Sequence, residues 1–94
     1  LPIYRIKIDL SAKELRVDNI PVPLTKSEYL ICEYLASNKG QVFSKEQIYE
    51  ATFSLYGESD SSTISTHIKN IRSKFEKTGV QPIVTVWGIG YRWE

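Results

Sequence analysis

A chain of 94 residues, 41% hydrophobic and 24% charged, has room for one small domain around one core, which excludes a disordered chain and a multi-domain enzyme alike. No apolar run approaches the roughly 20 residues that span a bilayer. The start, Leu1-Pro2-Ile3-Tyr4-Arg5, lacks the apolar stretch of a signal peptide and an initiator Met, so the expectation is an excised or recombinant fragment with no membrane partner, and the single cysteine fits a cytoplasmic, reducing setting. Net charge is only +1, but residues 1–60 hold 7 Lys+Arg against 9 Asp+Glu while residues 61–94 hold 5 against 2, so the cationic surface gathers in the last third.

The first 24 residues read as strands. Tyr4-Arg5-Ile6-Lys7-Ile8-Asp9-Leu10 alternates polar with apolar, Leu15-Arg16-Val17 resumes the pattern, Asp18-Asn19 is a turn signal, and the prolines of Ile20-Pro21-Val22-Pro23 confine that segment to an edge. A small antiparallel meander follows from this. Thr25-Lys26-Ser27-Glu28 is a capping box with Leu24 and Tyr29 as its staple, and it opens a helix whose stripe is Leu30, Ile31, Tyr34 and Leu35; Asn38-Lys39-Gly40 stops it. Ser44-Lys45-Glu46-Gln47 is a second capping box, stapled by Phe43 and Ile48, and opens a helix expected to face Ile48, Ala51 and Leu55 inward. The polar run 56–61 reads as a loop.

A third helix is expected from about Ser62 to Lys77, because Ile64, Ile68, Ile71 and Phe75 share one narrow face, with Gly79 past its end. The tail reads as a hairpin, Ile83-Val84-Thr85-Val86 returning through Trp87-Gly88-Ile89-Gly90 into Tyr91-Arg92-Trp93, with glycine at the tip for positive φ. Cys32 is the lone cysteine and His67 the lone histidine. They make neither a disulfide nor a zinc set, no motif calls for a cofactor, and Cys32 reads as a small core residue.

Opposite the isoleucine stripe of the third helix lie Ser62, Thr66, Lys69, Asn70 and Ser73, flanked by Thr63, His67 and Lys74 on one side and Arg72 on the other, with no carboxylate between Asp60 and Glu76. Taken alone, this is either an ordinary wet face or a set of cations, hydroxyls and an amide suited to phosphates and base edges. A capped short helix, a loop, a long basic helix and a glycine-tipped hairpin occur in the order of a winged helix-turn-helix, an α+β fold with an N-terminal antiparallel sheet, three helices and a C-terminal hairpin. In that order the third helix can enter the major groove.

Three segments resemble the C-terminal effector domain of OmpR/PhoB-type bacterial response regulators. Leu24-Thr25-Lys26-Ser27-Glu28-Tyr29 is similar to the family's helix start, His67-Ile68-Lys69-Asn70-Ile71-Arg72-Ser73-Lys74-Phe75 to its recognition helix, and Ile83-Val84-Thr85-Val86-Trp87-Gly88-Ile89-Gly90-Tyr91-Arg92 to its wing. The resemblance covers essentially the whole chain. It implies base reading at Thr66 and Asn70, base or phosphate contacts at His67, Lys69, Arg72 and Lys74, a phosphate contact at Lys45, and wing contacts at Thr85 and Gly88.

The chain departs from the family at Ser62, which stands where Arg is frequent, at Ser65, which stands where Asp is frequent, and at Trp87, which replaces the wing-tip Arg. Trp87 either lies along the minor groove or folds back on the domain. The resemblance further implies transcriptional regulation in a two-component system, an upstream receiver domain phosphorylated by a sensor kinase, tandem half-sites on double-stranded DNA, and contact of the loop 52–61 with RNA polymerase. A protein-binding winged helix is the alternative. An enzyme would need a carboxylate pair, a metal set or a nucleophile–base–orienter arrangement; the residues offer none, and His67 has no such company.

Overall fold

Two hydroxyl side chains set the frame of the helical core. In the computed structural model, which describes residues 5–53 and 60–94, helix α1 (Lys26–Ser37) starts at Thr25. The Glu28 amide donates to Thr25 Oγ1 at 3.2 Å and the Thr25 amide donates to Glu28 Oε1 at 2.9 Å. Helix α2 (Lys45–Thr52) starts the same way, with the Gln47 amide on Ser44 Oγ at 3.1 Å and the Ser44 amide on Gln47 Oε1 at 2.8 Å. Each box satisfies two amides that an open helix end leaves without partners. Helix α3 (Ser62–Glu76) is begun differently: Asp60 accepts from the Ser62 amide at 2.8 Å and from the Ser62 hydroxyl, which places a carboxylate at the positive end of the helix. Those bonds hold the Asp60 carboxyl below its usual range.

Strands β1 (Ile6–Asp9), β2 (Glu14–Val17) and β3 (Ile20–Pro21) form an antiparallel sheet in that order, with β3 at an edge. The β2–β3 turn uses positive φ at both Asp18 (52°) and Asn19 (69°), the primed geometry that matches strand twist. Leu15, Val17 and Val22 send their side chains into the core, where they join Ile31, Cys32 and Leu35 of α1, Ile48 of α2, and Ile64, Ile68, Ile71 and Phe75 of α3. The predicted isoleucine stripe is therefore the buried face of α3, each member worth about 1.5–3 kcal/mol of burial. Cys32 is a core residue, and burial pushes its thiol far up, out of reactive range.

The C-terminal hairpin, β5 (Ile83–Val86) and β6 (Gly90–Trp93), is joined by a strand the sequence reading did not include, β4 (Val42–Phe43), giving the order β4-β6-β5. Val42 faces Arg92 and Phe43 faces Tyr91 in register. Trp93 packs edge-on to Phe75 with ring centroids 6.3 Å apart, which ties the hairpin to α3.

Two expectations are corrected. Ala51 is exposed; Thr52, one turn after Ile48, takes the inward place and donates its hydroxyl to the Ile48 carbonyl at 2.7 Å. Gly90 does not need positive φ: it is a glycine because the Phe43 backbone crosses where a Cβ would stand. Leu55, Tyr4 and most of the loop 52–61 lie outside the described residues.

Candidate nucleic-acid interface

The outward face of α3 is set by the phase of its buried face. With Ile64, Ile68 and Ile71 inside, Ser62, Ser65, Thr66, Lys69, Asn70 and Ser73 are all exposed, in a row spaced by three or four residues. The row carries hydroxyls, an amide and an ammonium and no carboxylate. Thr63 is half-buried, its hydroxyl donating to the Asp60 carbonyl at 3.0 Å. His67 is half-buried beside the row, its ring 5.4 Å from that of Phe53.

Lys45 is the first residue of α2 and is exposed. It lines a groove of about 380 Å³ together with Glu46, Ser65 of α3, and Thr85, Trp87 and Gly88 of the hairpin. One concave strip thus joins the start of α2, the middle of α3 and the wing. At its far end Trp87 is 89% exposed, so the folded-back pose does not occur. Gly88 sits beside it with φ +79°.

Two cations of the expected set face elsewhere. Arg72 reaches across to the hairpin, where its Nη2 donates to Thr85 Oγ1 at 2.6 Å and to the Ile83 carbonyl at 3.1 Å, and its guanidinium lies 5.7 Å from the centroid of the Tyr91 ring. Lys74 turns to α1, pairing with Glu28 Oε1 at 2.5 Å. Glu28 is only 3% exposed, so this pair pins the carboxy-terminal half of α3 to the start of α1. Burial alone would raise the Glu28 carboxyl, but the hydrogen bonds from Lys74 and the Thr25 amide outweigh it and hold it below its usual range. The sequence reading placed Glu28 in a capping box and Lys74 on a surface. A carboxylate between Ser27 and Tyr29, at the mouth of an apolar stripe, was the signal that it needed a cationic partner.

Among the described residues no group of three or more His, Cys, Asp or Glu is placed to hold a metal ion, and no helix is long and apolar enough to cross a membrane. The geometry offers an extended polar ridge backed by a braced hairpin.

A family model described as transcriptional regulatory protein, C terminal, matches residues 19–93. The chain is 49% identical over 83 residues to the transcriptional regulatory protein SpaR of Bacillus subtilis, covering 88% of this chain and 38% of that protein. It is 39% identical over 85 residues to the response regulator SaeR of Staphylococcus epidermidis, covering 88% of this chain and 37% of that one. The chain therefore spans well under half the length of these curated relatives. Among solved structures, the C-terminal domain of the nisin resistance regulator NsrR superposes with a TM-score of 0.81 at 26% identity, over 99% of this chain and 94% of that one. The AdeR DNA-binding domain, solved in complex with an intercistronic region, superposes with a TM-score of 0.84 at 24% identity over 99% and 96%.

Proposed function

Because this chain belongs to the family of C-terminal domains of transcriptional regulatory proteins, we propose that it binds double-stranded DNA sequence-specifically as the output domain of a bacterial response regulator, with α3 lying in the major groove. The observation that carries this reading is the exposed row from Ser62 to Ser73, free of carboxylates and continuous through the groove with the wing. Short side chains at Thr66 and Asn70 reach base edges only if α3 lies deep in the groove. Lys69 and Lys45 then meet the flanking phosphates, with Ser62, Thr63 and His67 beside them, and Trp87 and Gly88 meet the duplex beyond. Arg72 and Thr85 join the wing to α3, and Lys74 holds the helix from behind.

The family's architecture supports further proposals for the whole protein. An upstream receiver domain, phosphorylated by a sensor kinase in the cytoplasm, would pair two such domains on tandem half-sites. The loop 52–61 would meet RNA polymerase.

Selection from a pool of random duplexes, followed by a salt titration on the enriched sequence, tests the reading. Binding should weaken steeply with salt, and Lys69→Ala should reduce the slope of log K against log salt by about 0.9 if its ammonium displaces one counterion. No enrichment, or binding indifferent to salt, would instead support a protein-docking module.

A further inference from the structure

From Pro82 to Tyr91 the hairpin carries no charged side chain. A wing of this kind cannot displace counterions or pair with phosphate by charge. What it presents is apolar. Trp87 is 89% exposed and Ile89 63%, on either side of Gly88, in a turn closed by the Ile89 amide donating to the Val86 carbonyl at 3.0 Å. Two large apolar side chains at the extremity of an element leave a patch in water that a partner surface would cover.

The hairpin behind this tip is braced on both strands. Arg72 of α3 holds β5 through Thr85 and the Ile83 carbonyl, and its guanidinium lies over Tyr91 of β6. On the other side β6 is paired with β4, with the Gly90 backbone against Phe43 so closely that a methyl group has no place. The tip is therefore mounted on α3 itself. The groove that starts at Lys45 and Ser65 runs directly to Trp87, so the apolar tip continues the polar face that reads DNA.

We propose that the wing tip is an apolar wedge: with α3 in the major groove, Trp87, supported by Ile89, enters the adjacent minor groove of the same duplex and pries open one base step, bending the DNA. This rests on the DNA-binding reading above. Apolar side chains inserted between base pairs unstack the step and kink the helix, and the covered apolar surface offsets the lost stacking. Pyrimidine–purine steps open most easily. The domain thereby acquires a preference for such a step at a fixed distance from the half-site, without a polar contact to it. Arg72 is the positioning residue of this device, since the wedge transmits force only while the hairpin is held to α3.

The test uses the domain and a duplex of roughly 30 base pairs, short against the persistence length, enriched by that domain from a random pool and labelled at both ends for energy transfer. The wild type should shorten the end-to-end distance. Trp87→Ala and the double variant Trp87→Ala/Ile89→Ala should bind about ten-fold more weakly, the loss of one desolvated aromatic anchor, and leave the duplex nearly straight, with unchanged thermal unfolding because both side chains are exposed. Pools enriched by Trp87→Ala should lose the pyrimidine–purine preference. Trp87→Arg should recover affinity through charge, with a steeper salt dependence, but not the bend. Arg72→Lys keeps the charge without the planar guanidinium over Tyr91 and should reduce the bend. A duplex that stays straight with the wild type, or bends equally with the double variant, overturns the wedge. An affinity loss seen only when two domains occupy adjacent sites, with the bend unchanged, overturns it in favour of contact with a second copy. A wild-type domain that enriches no duplex overturns the DNA-binding reading, and the wedge with it.

Discussion

Replacing Gly90 by Ala adds one methyl group at the junction of β4 and β6. Built on the existing backbone, that methyl lies 2.0 Å from the Phe43 carbonyl oxygen, 2.6 Å from the Phe43 carbonyl carbon and 2.8 Å from Ser44 Cα. All three are backbone atoms, so no side chain can swing aside. Relief requires β4 to retreat by more than an ångström, which breaks the pairing of Val42 with Arg92 and of Phe43 with Tyr91. It also drags Ser44, the cap of α2. Overpacking costs about 1–3 kcal/mol, and each ladder hydrogen bond lost costs about 1 kcal/mol more, giving roughly 3–5 kcal/mol in all.

For a domain of this size each kcal/mol shifts the melting point by about 4–8 °C, so Gly90→Ala should melt at least about 12 °C below the wild type in a circular dichroism scan. Gly88→Ala is the control. Its methyl meets nothing within 4 Å, and its only penalty is the left-handed backbone at φ +79°, about 1–2 kcal/mol. If Gly90→Ala melts no lower than Gly88→Ala, the close approach of β4 and β6 is not what requires glycine there.

Ile68→Ala should cost about 2–5 kcal/mol in urea unfolding, since the side chain is 1% exposed at the centre of the α3 stripe; an unchanged midpoint would mean that the helix is phased differently. Asn70→Ala should cost about 1–3 kcal/mol on the enriched duplex and far less on random DNA, whereas an equal loss on both would make Asn70 a backbone contact. The Glu28 carboxyl is held below its ordinary value of 4.5. Its contribution to stability is therefore complete above that pH and disappears as pH falls through the depressed value. Glu28→Gln should flatten this acid limb of the stability–pH curve, and identical limbs in the two proteins would refute the Glu28–Lys74 linkage.

What the sequence made legible was what neighbours in sequence decide. Thr25 and Ser44 announce their helices through partners three residues on, and Ile64, Ile68 and Ile71 repeat with the helical period. Both patterns recur in the structure at the predicted residues. Asp18-Asn19 and Trp87-Gly88-Ile89 mark their turns in the same local way. What escaped notice depended on distant partners. Strand β4 is two residues long, too short for any alternation, and exists because β6 offers it a ladder.

Lys74 and Arg72 looked like surface cations until Glu28, 46 residues away, and Thr85, 13 residues away, were brought beside them. Thr52 displaced Ala51 from the interior because its hydroxyl finds a carbonyl one turn back, a bond that polarity alone conceals. The outward row of α3 was readable as a face, since burial of the stripe fixes its phase. The bracing of the wing was not readable, because it is a relation between α3 and a hairpin that begins after the helix ends.

The two-residue pairing of β4 with β6 also governs how the chain comes together. Val42 and Arg92 meet from 50 residues apart in the sequence, and closing a loop of that span is entropically unfavourable until the long-range contacts it permits have formed. The helices carry their own start signals, whereas the β4–β6 pairing sets the start of α2 against the wing, alongside the Arg72 and Trp93 contacts that hold the wing to α3. Substitutions at Val42, Phe43 or Gly90 are therefore expected to slow refolding as well as lower the melting point, while substitutions at Trp87 should change neither. The face proposed to meet DNA and the β4–β6 contact are one piece of structure, so a chain that has not finished folding has no assembled face to offer a duplex.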